Sequence, residues 1–220
     1  MTALVLSAHS LYRFFRAGEE ETLALQGVTL EAEPGEIVAV TGPSGSGKTT
    51  LLNCLAGLDE PDGGTVRVAG ERISHRAERE RSALRSRHIG VLFQSKNLVD
   101  HLSVRDNIAL VQRLVRGRRP VPAEDLLDQV GIRDRAGALP RQLSGGEAAR
   151  AGLAVALANA PALVLADEPT GEVDGETERR VLALLRERAS TGTAVVVISH
   201  SRAVAAAADR VLRMRDGRWV

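Results

Sequence analysis

Three short apolar runs set what this chain can become: IVAV at 37–40, ALVLA at 162–166 and AVVVI at 194–198. None alternates with polar residues, as a strand with one wet face would. Unbroken runs of this length suit strands covered on both faces, the condition of a parallel sheet. Each leads through a polar loop into a helical pattern: LLNCLAGL at 51–58, ETERRVLALLRERA at 176–189 and SRAVAAAADRV at 201–211. Strand, loop and helix in repetition predict an α/β fold. Ligands of such sheets sit beyond the carboxyl ends of the strands. With the strands read as ending at Gly42, Asp167 and His200, three polar elements converge on one edge.

The remaining segments read differently. Residues 3–8, 23–32 and 65–69 alternate and predict a small antiparallel sheet. Residues 95–160 carry no strand pattern but three helical ones, at 106–115, 123–131 and 146–158, and predict an inserted helical part. The longest uncharged run, AGLAVALANAPALVLA at 151–166, is shorter than the roughly 20 residues of a membrane span and is interrupted by Pro161. It reads as a buried helix ending near Asn159, followed by a buried strand. RAERERSALRSR at 76–87 mixes signs at helical spacing and reads as a solvated helix face, and RLVRGRRP at 113–120 as a solvated loop.

With 220 residues, 44% hydrophobic and 26% charged, the chain is expected to form a single globular domain. A net charge of +1 offers no argument for nucleic acid as a partner. The lone Cys54 excludes a disulfide framework and reads as a small buried hydrophobe, and the opening MTALVLSAHS lacks the pattern of a signal peptide. The five histidines are scattered without metal-ligand spacing. Any membrane role is therefore expected to come through a partner.

GPSGSGKT at 42–49 fits G-x-x-x-x-G-K-[ST] and lies between a predicted strand and a predicted helix, the context that motif needs. Gly42, Pro43, Ser44, Gly45, Ser46 and Gly47 form a loop whose backbone N–H groups can wrap a phosphate. The helix that opens at Lys48, Thr49 and Thr50 adds its positive end. Lys48 is expected to reach the β- and γ-phosphates, and the Thr49 hydroxyl to hold Mg²⁺. Of the 29 basic residues 27 are arginine, yet a lysine stands here, where a compact ammonium suits a site between phosphates.

Asp167 and Glu168 adjoin at the tip of a buried strand, where two carboxylates are costly without a nearby cation. Mg²⁺–ATP would supply one, with Asp167 on Mg²⁺ and Glu168 as general base toward water. Gln94, closing HIGVLFQ, and His200, closing AVVVISH, join the same edge. Gln94 is placed to reach Mg²⁺ or the water, and His200 the γ-phosphate.

This set, with LSGGE at 143–147, LADEPT at 165–170 and Asp174, resembles the nucleotide-binding subunits of ATP-binding cassette (ABC) transporters over essentially the whole chain. The resemblance implies one ABC ATPase domain at 1–220: a nucleotide-binding core at 1–94 and 160–220, including the antiparallel part, and a helical subdomain at 95–159 carrying LSGGE. It implies ATP and Mg²⁺ as ligands and a homodimer in the ATP state. In that dimer Ser144, Gly145, Gly146 and Glu147 of one chain meet the ATP held by the P-loop of the other, and Asp174 links the two sites. It implies Phe15 as the ring that stacks on adenine.

LADEPTG, LSGGE and the spacing before the P-loop resemble the lipoprotein-release and macrolide-export branch. That branch implies a transmembrane permease of the FtsX-like kind, export or mechanotransmission, and a cytoplasmic chain peripheral to the inner face of the cell membrane. No fused membrane or regulatory domain is expected, and 95–108 is expected to meet the permease. The chain departs from the pattern with Phe15 for tyrosine, with Ala148, Ala149 and Val155 in the helix after LSGGE, and with Glu172 and Ser201. Two other classes stay open: a soluble ABC-type ATPase and a regulatory ATP-binding module.

Overall fold

The computed structural model describes residues 3–17, 20–115, 117, 120–171 and 173–220. Glu172 and three arginines of the basic stretch 113–120 lie outside the described residues. The chain opens with β1 (Leu6–Ala17) and β2 (Glu20–Ala32), then β3 (Ile37–Thr41) and α1 (Lys48–Leu55). β4 (Gly63–Val68), β5 (Glu71–Arg72), α2 (Glu78–His88) and β6 (Ile89–Leu92) follow. The middle of the chain holds α3 (Val104–Arg113), α4 (Ala123–Gln129) and α5 (Gly145–Leu157), with no strand among the described residues between β6 and β7. The last part runs β7 (Leu163–Asp167), α6 (Gly175–Ser190), β8 (Ala194–Ile198), α7 (Arg202–Ala207), β9 (Arg210–Arg215) and β10 (Arg218–Trp219).

Two sheets result, in the orders β2-β1-β4-β5 and β10-β9-β3-β8-β7-β6. The first is antiparallel, and β3, β6, β7, β8 and β9 of the second run parallel. The three apolar runs are its inner strands, and their residues divide by parity between two cores. Val38, Val40, Leu163, Leu165, Ala194, Val196 and Ile198 pack with α1 and the antiparallel sheet. Ile37, Ala39, Val164, Ala166, Val195 and Val197 pack with α3 to α7. A strand residue alternates sides every step, so a strand between two cores must be apolar at every position.

The structure corrects three sequence boundaries. β6 stops at Leu92, two residues before Gln94. The Asn97 side chain takes over the ladder groups of Phe93, its Oδ1 accepting from Phe93 N at 2.7 Å and its Nδ2 donating to Phe93 O at 2.6 Å. β8 stops at Ile198, before Ser199 and His200. The helix expected to reach Val211 ends at Ala207, because Arg210–Arg215 pairs with β3 instead. Asp209 makes the junction: its N donates to Ile37 O at 2.9 Å and its Oδ2 accepts from Ile37 N at 2.8 Å.

α2 bears out the solvated reading of 76–87. None of its residues is fully buried, and Arg81 and Arg85 pair with Glu78 at 2.7 and 3.0 Å. Cys54 is buried, and burial pushes its thiol up to about 12, so it stays neutral and acts as a core residue.

Candidate functional site

The loop 42–47 connects β3 to α1 at the carboxyl edge of the parallel sheet. Its glycines are demanded by neighbours from both sheets. Gly42 has φ +149, and a Cβ there would lie 2.0 Å from Met214 O on β9. Gly47 has φ +99, and a Cβ would lie 2.3 Å from Ala24 O on β2. The turn between β9 and β10 braces the same loop: Gly217 N donates to Ser46 O at 3.0 Å and Gly217 O accepts from Gln26 N at 2.9 Å. Asp216 and Gly217 both have positive φ, as a two-residue hairpin turn requires.

Lys48 is buried, with its Nζ drawn into the loop. It donates to Gly42 O at 2.9 Å and Pro43 O at 2.7 Å, with Ser46 Oγ at 3.4 Å. The ammonium therefore lies where the loop curls, at the positive end of α1. Thr49 and Thr50 occupy the next positions of that first turn. Thr49 Oγ1 donates to Asp167 Oδ2 at 3.1 Å, joining the P-loop helix to the tip of β7.

Burial pushes the Asp167 carboxyl above its ordinary range, against the Thr49 hydrogen bond and the charges of Lys48 and His200. Glu168 follows with φ +46, a left-handed conformation that costs about 1–3 kcal/mol for a residue with a Cβ. Its backbone is held from both sides, since Glu168 N donates to Ile198 O at 2.9 Å and Glu168 O accepts from Gly171 N at 3.1 Å. Its side chain is 10% exposed. Ser199 Oγ donates to Oε2 at 3.1 Å, and His200 Nε2 lies 2.9 Å from Oε1. Oε1 is buried and accepts no hydrogen bond. The contact is a close polar one whose Coulomb part depends on the charge of His200.

Lys48, Thr49, Asp167, Glu168 and His200 thus form one connected cluster. Gln94 lines a cleft of about 320 Å³ together with Glu168, Asn97, Gly145 and Ala149. Gly145 of the LSGGE loop thus borders this cleft, and the loop also borders a further one. Ser144, Gly145, Gly146 and Glu147 line a second cleft with Asp174 and Thr177, and no residue of 42–50 borders it. Ser144 and Glu147 form a capping box at the start of α5. Ser144 Oγ accepts from Glu147 N at 3.2 Å, and Glu147 Oε2 accepts from Ser144 N at 2.8 Å.

Phe15 is 43% exposed on β1, and the Arg13 guanidinium covers one face of its ring at 4.8 Å from the centroid. Arg13 is itself held by Asp59, at 2.9 and 3.0 Å, and by Asp62, at 3.1 and 3.2 Å. Sequence reading missed Arg13 and Ser199. A buried serine ending an apolar strand and a basic residue two before an exposed ring were the signals available.

Comparison with known proteins fits this geometry. The ABC transporter family matches residues 25–171. The ATP-binding protein LolD of the lipoprotein-releasing system of Pseudomonas syringae pv. tomato is 41% identical over 98% of this chain and 97% of its own.

The chain belongs to the ABC transporter ATPase family.

Within that family it is also similar to the macrolide export ATP-binding/permease protein MacB of Rhodopirellula baltica, 43% identical over 97% of this chain. This chain spans 32% of that protein's length, about a third of the MacB relatives it matches. Among solved structures, the dimeric post-hydrolysis state of the ATP-binding cassette MJ0796, bound to ADP and Pi, superposes with a TM-score of 0.89. It shares 32% identity and covers 98% of this chain and 97% of that one. This ABC cassette is an ATP-binding subunit of the LolD and MacB type, and an ATPase.

Proposed function

We propose that this ABC ATPase is a homodimer in its ATP state and drives a separate transmembrane permease in export or mechanotransmission. One observation carries the reading. The P-loop and the LSGGE loop are both suited to receive anions, yet no residue of 42–50 borders the cleft lined by Ser144, Gly145, Gly146 and Glu147, which fits a chain holding half of each of two sites. Head-to-tail pairing would bring Ser144, Gly145, Gly146 and Glu147 onto the ATP of the partner subunit, with Asp174 beside the junction. The dimeric state of the MJ0796 cassette supports this arrangement.

Within each site Lys48 would bind the β- and γ-phosphates, and Phe15 would stack on adenine with Arg13 behind it. The donor set fits Mg²⁺: a hydroxyl and a carboxylate are hard oxygen ligands, and burial leaves Asp167 short of positive charge. Thr49 and Asp167 would hold the ion, with Gln94 within the same reading. Among the described residues no three His, Cys, Asp or Glu side chains gather on a metal, which suits an ion completed by substrate phosphates. When bound, Mg²⁺ would neutralise charge on the phosphate oxygens. Glu168 Oε1, buried and accepting no hydrogen bond, is suited to take the proton of the attacking water, a contribution of about 10²–10⁴-fold. His200 would hold Glu168 and face the γ-phosphate.

The same reading keeps a core at 1–94 and 160–220 and a helical subdomain at 95–159. Among the described residues no helix is long and apolar enough to cross a membrane. Attachment would come through the permease, at the inner face of the cell membrane, with 95–108 as the contact.

The test is the Glu168→Gln chain with Mg-ATP. Light scattering should show monomer becoming dimer, and the tagged chain should capture a permease from native membranes. Substitutions in 95–108 should abolish capture and spare ATPase activity. A persistent monomer at high protein and ATP counts against the sandwich, and soluble partners alone count against the transport role.

A further inference from the structure

Glu178 has no part in the site described so far. It lies in the first turn of α6, half-buried, and its Oε1 accepts two hydroxyls. Ser201 Oγ donates at 2.6 Å and Thr170 Oγ1 at 3.2 Å. The donors come from the two segments that carry the hydrolytic pair: Thr170 is two residues after Glu168, and Ser201 follows His200.

Ser199 anchors the other side of His200. It is buried, donates to Glu168 Oε2, and its Oγ accepts from Ser201 N at 3.0 Å. The His200 side chain is 68% exposed and has little packing to hold it. Its position is therefore set by the backbone between two anchored serines.

Glu178 is itself fixed. Its N donates to Asp174 O at 2.9 Å, and Asp174 Oδ1 caps the same turn through Glu176 N and Thr177 N at 2.9 Å each.

We propose that Glu178 is a positioning residue for ATP hydrolysis: its carboxylate ties the Thr170 turn and the Ser201 turn to the start of α6 and so fixes Glu168 against His200. This rests on the roles given above to Glu168 and His200. A carboxylate in a first helical turn also favours the helix dipole, which would stabilise α6 without touching turnover.

ATPase kinetics of Glu178→Ala, Glu178→Gln and Ser201→Ala, with Glu168→Gln alongside, separate these roles. Glu178→Ala should lower kcat about tenfold and leave the KM for ATP within about twofold, the scale of losing an outer-shell partner. Glu178→Gln keeps an oxygen acceptor and should recover most of kcat. Adding Ser201→Ala to Glu178→Ala should cost little more, because both break one tie.

An unchanged kcat in Glu178→Ala, or no recovery in Glu178→Gln, overturns the proposal. Should Glu178→Ala fail to fold, Ser201→Ala must lower kcat instead, and normal turnover there overturns it equally. Retained ATPase in Glu168→Gln would overturn the reading of the site itself. Loss there with normal Glu178→Ala would overturn the positioning role alone.

Discussion

At the scale of single residues, the tip of β7 concentrates the cost of function. Asp167 is an acid whose folded value is raised by burial, so its ionised form is penalised in the native state. Stability tied to it is present below the ordinary carboxylate range and is lost as pH rises through the raised folded value. Asp167→Asn keeps an acceptor for Thr49 and removes the charge. It should raise the thermal midpoint of the nucleotide-free protein by a few degrees while abolishing phosphate release. A lowered midpoint would show that the charge is compensated in place. Glu168 adds backbone strain at the next position, and three hydrogen-bonding partners hold it there, Ile198, Ser199 and Gly171, beside the polar contact from His200.

At the scale of elements, the start of α5 joins stability to recognition. The Glu147 carboxyl is held down at about 2, first by the Ser144 N–H and then by Arg135, whose Nε donates to Oε1 at 2.8 Å. A depressed carboxyl stabilises the fold above its ordinary value and ceases to as pH falls through the folded one. The difference in thermal midpoint between wild type and Glu147→Gln should therefore be constant at neutral pH, then shrink between 4.5 and about 2. A difference that does not change with pH would contradict the assignment. The Ser144 hydroxyl takes part on both sides of the box, its Oγ accepting from Glu147 N and its side chain helping to hold the Glu147 carboxyl down. In the proposed dimer the element that fixes the helix end would also meet an anion at its N-terminus.

At the scale of the whole molecule, the absence of P-loop residues from the cleft at Ser144–Glu147 makes the proposed composite site testable by mixing. Lys48→Ala disables one P-loop and Ser144→Arg one LSGGE loop. In a mixed dimer of sites shared in trans, one site combines both faults and the other has none. Mixing two inactive chains should restore ATPase that neither has, measured by phosphate release; no recovery would mean that each chain serves its own ATP. Much of this architecture was legible beforehand. The inner strands follow from continuous apolar runs, and the P-loop, LSGGE and the acids at 167–168 from fixed local spacings, because each feature is complete within about ten residues. The tertiary structure alone decided the rest. β6 yields at Phe93 to the Asn97 side chain, and 210–215 becomes strand because β3 offers it a partner. The P-loop glycines answer to Met214 and Ala24, Asp59 and Asp62 hold Arg13 from across the fold, and Ser201 meets Glu178 from the far side of β8. These contacts join residues distant in sequence, and a hydrogen bond or a close approach leaves no periodic trace in the chain until the fold brings its two ends together.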